Sequence, residues 1–194
     1  ATAVGKIGDP NPDWLLGITN EISAKNFVLQ FLLDIRKGGD VYSRNIGDLR
    51  RSGTAKETAE FPRFAEDGVT PNKPYIIEGV GPDGKTPNNI PITAEQYYSS
   101  LYSIAAGENF VFDGSWLRLR ELSLSYRFPE KTFKKSALGS LELGILGRNL
   151  FLYAPNFPHF DPENNVLGVH NLQGLEYSGL PGSRSFGFFI RTSL

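Results

Sequence analysis

With 194 residues, 20 basic against 21 acidic side chains and a net charge of −1, the chain has the length of one domain or of a piece of a larger protein, and no field of one sign that would draw in nucleic acid. Cysteine and methionine are both absent, which rules out a disulfide framework, a thiol nucleophile and a thiolate metal site, and the start at Ala1 is expected of a processed or truncated product. No stretch reaches the roughly 18 to 20 apolar residues of a membrane-spanning helix, and no basic-then-apolar opening marks a signal peptide. The 14 Phe, 8 Tyr, 21 Gly and 13 Pro suit strands punctuated by turns.

The first predicted strand begins at Trp14, with Leu16, Ile18 and Ile22 on one side, Gly17, Thr19, Glu21 and Ser23 on the other, and Asn20 interrupting the apolar row. After the connection Ala24-Lys25-Asn26, the second sets Phe27, Leu29, Phe31, Leu33 and Ile35 against Val28, Gln30, Leu32 and Asp34. Arg36-Lys37-Gly38-Gly39-Asp40 ends it, and nearly eighty residues precede the next convincing strand. Loops beyond about 12 to 15 residues carry local structure or function. Here Thr93-Ala94-Glu95-Gln96 forms a capping box, with Tyr97, Leu101, Ile104 and Ala105 at helical spacing up to Gly107, so a short amphipathic helix is predicted.

In the third strand, residues 115–128, Leu122, Leu124, Tyr126 and Phe128 alternate with Glu121, Ser123, Ser125 and Arg127. Arg118 and Arg120 occupy the side that later turns apolar, so the strand is expected to rise out of one medium into water. Pro129 and Glu130 open a helical turn, with Lys134 and Lys135 at its C-terminal end and Gly139 as its stop. The fourth strand sets Leu141, Leu143 and Ile145 against Glu142, Gly144 and Leu146 and is predicted to end near Arg148-Asn149, before a loop over residues 150–182. The fifth carries Phe186, Phe188, Ile190, Thr192 and Leu194 opposite Gly187, Phe189, Arg191 and Ser193.

Connections therefore run short, very long, short, long. Outer-membrane barrels share this asymmetry, with tight periplasmic turns and long external loops. The fold expected is all-β: an antiparallel up-and-down transmembrane β-barrel segment, the last five strands, with long extracellular loops and one or two short helices. A soluble β-sandwich alternates in the same way, but the loop asymmetry and the scarcity of charge on the apolar faces favour the barrel. The smallest closed barrels need about eight strands, so the rest of the wall is expected elsewhere.

A recurrent pair and four further motifs, in order, carry a family resemblance. Gly8-Asp9-Pro10-Asn11-Pro12-Asp13-Trp14 is followed by Arg36-Lys37-Gly38-Gly39-Asp40-Val41-Tyr42, and then by Trp116-Leu117-Arg118-Leu119-Arg120-Glu121-Leu122-Ser123-Leu124-Ser125-Tyr126. Gly147-Arg148-Asn149-Leu150, Asp161-Pro162-Glu163 and Arg184-Ser185-Phe186-Gly187-Phe188 follow. Together they resemble the C-terminal region of SusC/RagA-type TonB-dependent transporters. The resemblance implies a plugged barrel of about 22 strands in the bacterial outer membrane. Such a barrel is driven by the TonB complex and imports oligosaccharides or peptides captured with a SusD-like surface lipoprotein. Residues 1–194 would be the C-terminal part of the barrel, in contact with outer-membrane lipid, while the plug and the TonB-contacting segment lie in a missing N-terminal part. Leu194 stands where the family usually ends in an aromatic residue.

Other chemistry reads weakly. Gly79-Val80-Gly81-Pro82-Asp83-Gly84-Lys85-Thr86 matches the written P-loop pattern. Pro82 removes a backbone donor, Asp83 would face phosphate, and Pro87 and Pro91 leave no room for the following helix, so a turn at Pro82-Asp83-Gly84 is expected instead. Asp9, Asn11 and Asp13 begin like a calcium loop, but Trp14 replaces the required Gly and Asn20 the closing Glu. The two histidines, His159 and His170, share a loop with Asp161 and Glu163 without a metal or catalytic spacing. No catalytic residue, cofactor or metal site is predicted. The candidates for ligand or partner contact are Tyr42, Tyr98, Tyr102, Arg118, Arg120, Arg148, Asn149 and Asp161, the tyrosines as stacking platforms for sugar rings and the arginines as holders of an anion or partner. Tyr97 is read as packing its helix. A soluble β-rich glycan-binding module is the alternative function.

Overall fold

The computed structural model describes residues 5–59, 75–101, 107–134, 138–164, 166 and 173–193. Strands β1 (Trp14–Ala24) and β2 (Phe27–Lys37) are followed by β3 (Asp40–Ser43), β4 (Tyr75–Ile76), β5 (Pro91–Ile92) and β6 (Val111–Asp113). Then come β7 (Trp116–Arg127), β8 (Ser140–Tyr153), β9 (Leu175–Glu176) and β10 (Ser185–Ser193). The five long strands form one antiparallel sheet in the order β1-β2-β7-β8-β10, so strands consecutive along the wall are neighbours in it. This is the predicted up-and-down arrangement.

Period-two alternation in the sequence becomes two chemically distinct faces. Registry aligns Leu16 with Ile35, Ile18 with Leu33 and Ile22 with Leu29 across the first pair, and Phe188 with Ile145 and Ile190 with Leu143 across the last. Phe31 lies opposite Leu122 and Leu29 opposite Leu124 between them. This apolar face is not covered: Phe186 and Phe188 are 80% exposed and Ile145 62%. On the opposite face, Gln30 donates to Glu21 at 2.6 Å and Ser125 to Glu142 at 2.6 Å, and Arg127 and Arg191 also reach Glu142.

Two expectations for the strands need correction. Arg118 and Arg120 do not stand on the face that later turns apolar. Leu33 pairs with Leu119 and Leu32 with Glu121, so β7 holds one residue more than β2 at Arg120. A bulge of this kind places one unpaired residue in the strand and shifts its side-chain phase. Leu117 and Leu119 thereby join Leu122, Leu124 and Tyr126 on the apolar face, while Trp116 and Arg118 share the polar face with Ser123 and Ser125. The strand stays in the wall instead of leaving one medium for another. The fourth strand likewise continues past Arg148-Asn149 to Tyr153, because Asn149, at φ 53°, absorbs a second irregularity and lets Phe151 and Tyr153 pair with Leu119 and Leu117.

The short connections are as tight as predicted. Lys25, at φ 54°, turns β1 into β2, Asn26 donates to the Arg127 carbonyl at 2.6 Å, and Glu130–Thr132 makes a single helical turn between β7 and β8. Lys135, assigned to that turn's end, lies outside the described residues, as do Leu194, Ile104 and Ala105.

The buried core is in the loops. β3 pairs antiparallel with β6 and parallel with β9, and α1 (Arg44–Arg51) follows β3 directly, capped by the Ser43 hydroxyl, which accepts from Ile46 N at 3.2 Å. Val41, Ile46 and Phe157 form the cluster, packed by Phe112, Ala154 and Phe160. The predicted capping box is present: Thr93 N donates to Gln96 Oε1 at 2.9 Å and Gln96 N to Thr93 Oγ1 at 3.1 Å. Its helix is one turn, Ala94–Gln96, widening into a π-helical turn over Tyr97–Leu101. Because Ile46 is completely buried, Ile46→Ala should remove about 2–5 kcal/mol from this loop core. Hydrogen exchange in the intact protein should then show lost protection over residues 41–49 and unchanged protection in β2 and β8.

Candidate functional site

The first two motifs meet in space. The Asp9 N–H donates to Asp40 Oδ2 at 2.8 Å and the Asp40 N–H returns to the Asp9 carbonyl at 2.6 Å. Arg36 reaches the Pro10 carbonyl at 2.9 Å, and Gly174 packs so close to Pro10 that a Cβ there would stand 2.5 Å from it. Gly38 and Gly39, at φ 75° and 83°, adopt the left-handed conformation that side chains resist, and a Cβ on Gly39 would strike Arg36. Gly38 N donates to the Ser115 hydroxyl at 2.9 Å, which donates in turn to Asp113 at 2.5 Å, and Asn156 reaches the other Asp113 oxygen at 2.9 Å. The glycine pair thus lets the chain leave the wall and fold straight onto it.

Asp9 spends its carboxylate in this knot, accepting from Lys6 at 2.8 Å and from Asn11 N and Nδ2 at 3.1 and 2.9 Å. These bonds hold its carboxyl down at about 2. The calcium-loop spelling is a braced turn, and the described residues contain no group of three or more His, Asp or Glu that could hold a metal ion.

A second convergence links the remaining motifs. Arg118 is only 4% exposed and donates to Asp161 at 2.6 Å, with Glu163 at 3.1 Å. Arg120 takes Asp34 at 2.7 Å and forks onto both Glu163 oxygens at 2.8 and 3.1 Å. Both guanidinium groups lie over the Trp116 ring, 5.3 and 5.6 Å from its centroid, where the ring's negative face attracts them. Arg148 pairs with Glu121 at 3.1 Å. Arginines from the wall therefore hold Asp161-Pro162-Glu163 of the last long loop. Such pairs cost desolvation and recover it only with good geometry and full hydrogen bonding. The bulge at Arg120 supplies the geometry by turning both arginines to one side.

The predicted contact residues separate accordingly. Arg118, Arg120 and Asp161 come together, with Glu163 between the two arginines. Asn149 joins from β8, donating to the Ser183 carbonyl at 3.1 Å. Tyr42 lies apart on β3, edge-on to Phe110 at 6.0 Å, and Tyr98 is buried, edge-on to its neighbour Tyr97 at 5.0 Å. Tyr102 and His170 fall outside the described residues.

His159 contacts Glu57 at 2.8 Å, and Arg50 takes the other Glu57 oxygen at 2.6 Å. Burial pushes the Glu57 carboxyl up, but Arg50 and His159 together outweigh it and leave the group below its ordinary range. Glu57, Asp34 and Trp116 are not among the contact residues expected from the sequence, although Trp116 stands two residues before Arg118 and period-two geometry puts both on one face. Glu176, with 0% exposure, also gives no signal: Ser43 and Asn45 hydrogen-bond its two oxygens from across the loop sheet.

At the P-loop-like segment the chain makes a hairpin turn. Gly84 N donates to Gly81 O at 2.9 Å, Asn88 N to Gly79 O at 2.9 Å, and the Asp83 carboxylate accepts from Lys85 N and Thr86 N at 3.0 and 2.9 Å. The Gly84, Lys85 and Thr86 amides that a phosphate cradle would use are spent within the turn.

No family model matches the chain. It is 29% identical over 187 residues to TonB-dependent receptor P3 of Formosa agariphila, covering 93% of this chain and 16% of that protein. TonB-dependent receptor P26 of the same organism is 28% identical over 189 residues, covering 92% of this chain and 17% of the relative. Among solved structures, the RagAB peptide importer in its closed-closed state matches with a TM-score of 0.62 and 17% identity, over 94% of this chain and 17% of that one. Its open-open state matches at 0.60 and 18% identity, over 95% and 17%. The chain therefore spans about a sixth of the length of the relatives it matches. The likeness is to TonB-dependent receptors in sequence and to the RagAB importer in fold, and each covers about nine-tenths of the chain.

Two outcomes follow from this geometry. Arg118→Ala leaves Asp161 facing a lost partner in a buried site and should cost about 3–5 kcal/mol locally; hydrogen exchange should report it as faster exchange over residues 157–164, and Arg118→Ala combined with Asp161→Ala should cost less than the two singles added. The Asp83 hydrogen bonds lower its carboxyl from 3.8 to about 2. A depressed carboxyl contributes stability fully present above 3.8 and lost as pH falls through about 2, so the Lys85 and Thr86 amide NMR signals should shift in that window and stay fixed from pH 5 to 7.

Proposed function

We propose that this chain is the closing, C-terminal part of the barrel of a bacterial outer-membrane importer of the SusC/RagA type. In that reading residues 1–194 supply the last five strands of the wall and two long external loops, and the protein is a transporter, not an enzyme. Its plug and its contact with the TonB complex belong to the rest of the polypeptide. The loops shape the mouth and meet a SusD-like lipoprotein that delivers oligosaccharides or peptides.

The observation that carries the reading is the uncovered apolar face. A soluble protein does not leave a continuous sheet of Phe, Leu and Ile in water, since exposed patches beyond a few hundred Å² drive association. A barrel wall needs this face for lipid and the opposite, polar one for its lumen. Aromatic residues mark both ends of the apolar band: Phe27 packs on Tyr126 at 4.9 Å, and Tyr126 on Phe128 at 4.9 Å, beside the short turns, while Trp14 and Tyr153 stand exposed toward the loops. Girdles of this type sit at the two membrane interfaces. With the short turns periplasmic, β3, α1 and the Arg118–Asp161 tie lie on the outer side. A soluble glycan-binding module would need a cover over Phe186, Phe188 and Ile190, and the described residues provide none.

The full-length protein extracted in detergent should migrate faster on an unboiled gel than after boiling, and a monodisperse folded protein without detergent would refute the reading. Within the same protein, Phe188→Arg, at the middle of β10, should cost about 2–4 kcal/mol in a guanidinium folding titration into vesicles. Gln30→Arg on the polar face should cost far less.

A further inference from the structure

The last long loop leaves the wall at Tyr153, the end of β8, and rejoins it at Ser185, the start of β10, and those two strands are neighbours. A direct connection would stay above them. Instead the loop turns back over two other strands: Asp161 and Glu163 are held by Arg118 and Arg120 of β7, and Arg120 also takes Asp34 of β2. The residues that hold it sit inside the strands. Arg120 is four residues past Trp116, and Asp34 is three residues short of the end of β2 at Lys37, a depth of about 10 Å at roughly 3.3 Å per residue. Asp34 and Arg118 are in register on the polar face, so the loop descends along that face and not beyond the rim.

Residues 157–164 are themselves tightly built. Phe157 is buried in the loop core, the Asp161 carboxylate accepts from Glu163 N at 3.0 Å, and the Asp161 carbonyl accepts from Asn164 N at 3.0 Å. An open cavity of about 350 Å³ separates this segment from β8 at Asn149 and Leu152. On that side the segment does not pack on the strand it left, and the ion pairs with β7 and β2 hold it to the wall. Those pairs are unequal. The side chains of Arg118 and Asp161 are 5% and 14% exposed, those of Arg120 and Glu163 33% and 31%. Losing one partner of a buried pair is strongly destabilising, whereas a wetter pair is weak and screened by salt.

We propose that residues 157–164 form an inward strap that narrows the mouth of the lumen along β7 and β2, with Arg118–Asp161 as its fixed anchor and Arg120, Asp34 and Glu163 as its releasable catch. The proposal deepens the importer reading and rests on it, because that reading makes the polar face the wall of the lumen. While Glu163 stays on Arg120, the tip of the strap lies against β2. Loss of that contact frees the tip with the anchor still in place, and widens the passage for large solutes more than for small ones.

The test uses the full-length protein in detergent with one added thiol. Gln30→Cys places it on the exposed polar face of β2 below Asp34, and Lys85→Cys in the exposed hairpin turn serves as reference. Labelling by a small maleimide and by one carrying a polyethylene glycol chain is timed for each, with the same protein lacking the added thiol subtracted. The bulky reagent should lag behind the small one far more at position 30 than at position 85. Glu163→Gln should speed the bulky reagent at position 30 about three- to fivefold, the range of a partly exposed pair, and the small reagent less than about twofold. Arg120→Lys, which keeps the charge but not the fork, should fall between. An equal lag at both positions, or a lag at position 30 unchanged by Glu163→Gln and Arg120→Lys, overturns the strap and leaves the barrel reading intact. Heat-modifiable migration should be the same in every variant; its absence from the unsubstituted protein removes the barrel reading, and the strap with it.

Discussion

Everything in this molecule depends on keeping the two faces of one sheet in different surroundings along its full length. A strand manages this only while its side chains alternate without a slip, because a shift of one residue sends an entire row to the wrong side. β2 and β8 keep their phase from end to end, but β7 must bring Trp116, Arg118 and Arg120 to the polar face and still present Leu122, Leu124 and Tyr126 to the apolar one. The extra residue at Arg120 reconciles the two demands. Without it, two arginines would project among Leu33, Ile35 and Phe151.

That accommodation also accounts for the spacing of the motifs. Trp116, Arg118, Arg120 and Glu121 each have a separate partner: the two guanidinium groups over the indole, Asp161 and Glu163 for the arginines, and Arg148 for Glu121. The chain segments that resemble the SusC/RagA family one by one are contacts of one another. Likewise Gly8 to Trp14 and Arg36 to Tyr42 form a single knot around Asp9, Asp40 and the glycine pair.

The wall was legible in the sequence because its rule is local. Alternation in β2 and β10 needs only neighbouring residues, and the capping box at Thr93 and Gln96 is also a contact within four positions. The bulge was not legible, since the same letters serve a strand that leaves the membrane and a strand that gains one residue; only the register against β2 separates them. Glu57 and Glu176 were missed for a related reason. Glu57 has Arg50 seven positions away, but its contact His159, like Ser43 against Glu176, lies about a hundred positions or more away, and an isolated glutamate in a polar loop carries no mark of such a partner. Arg118 and Asp161 were singled out as ligand contacts, and their bond to each other emerges only from the fold.

The placement of the hydrophobic cluster has a further bearing. Val41, Ile46 and Phe157 lie within the loop layer, so that layer has a core of its own and is fastened to the wall by contacts that include the glycine knot, the arginine tie and the Asn149–Ser183 hydrogen bond. The loop layer can therefore vary around those anchors without disturbing the apolar row of the wall. On the importer reading proposed above, the crown can change its contacts while the cylinder keeps its lipid-facing row.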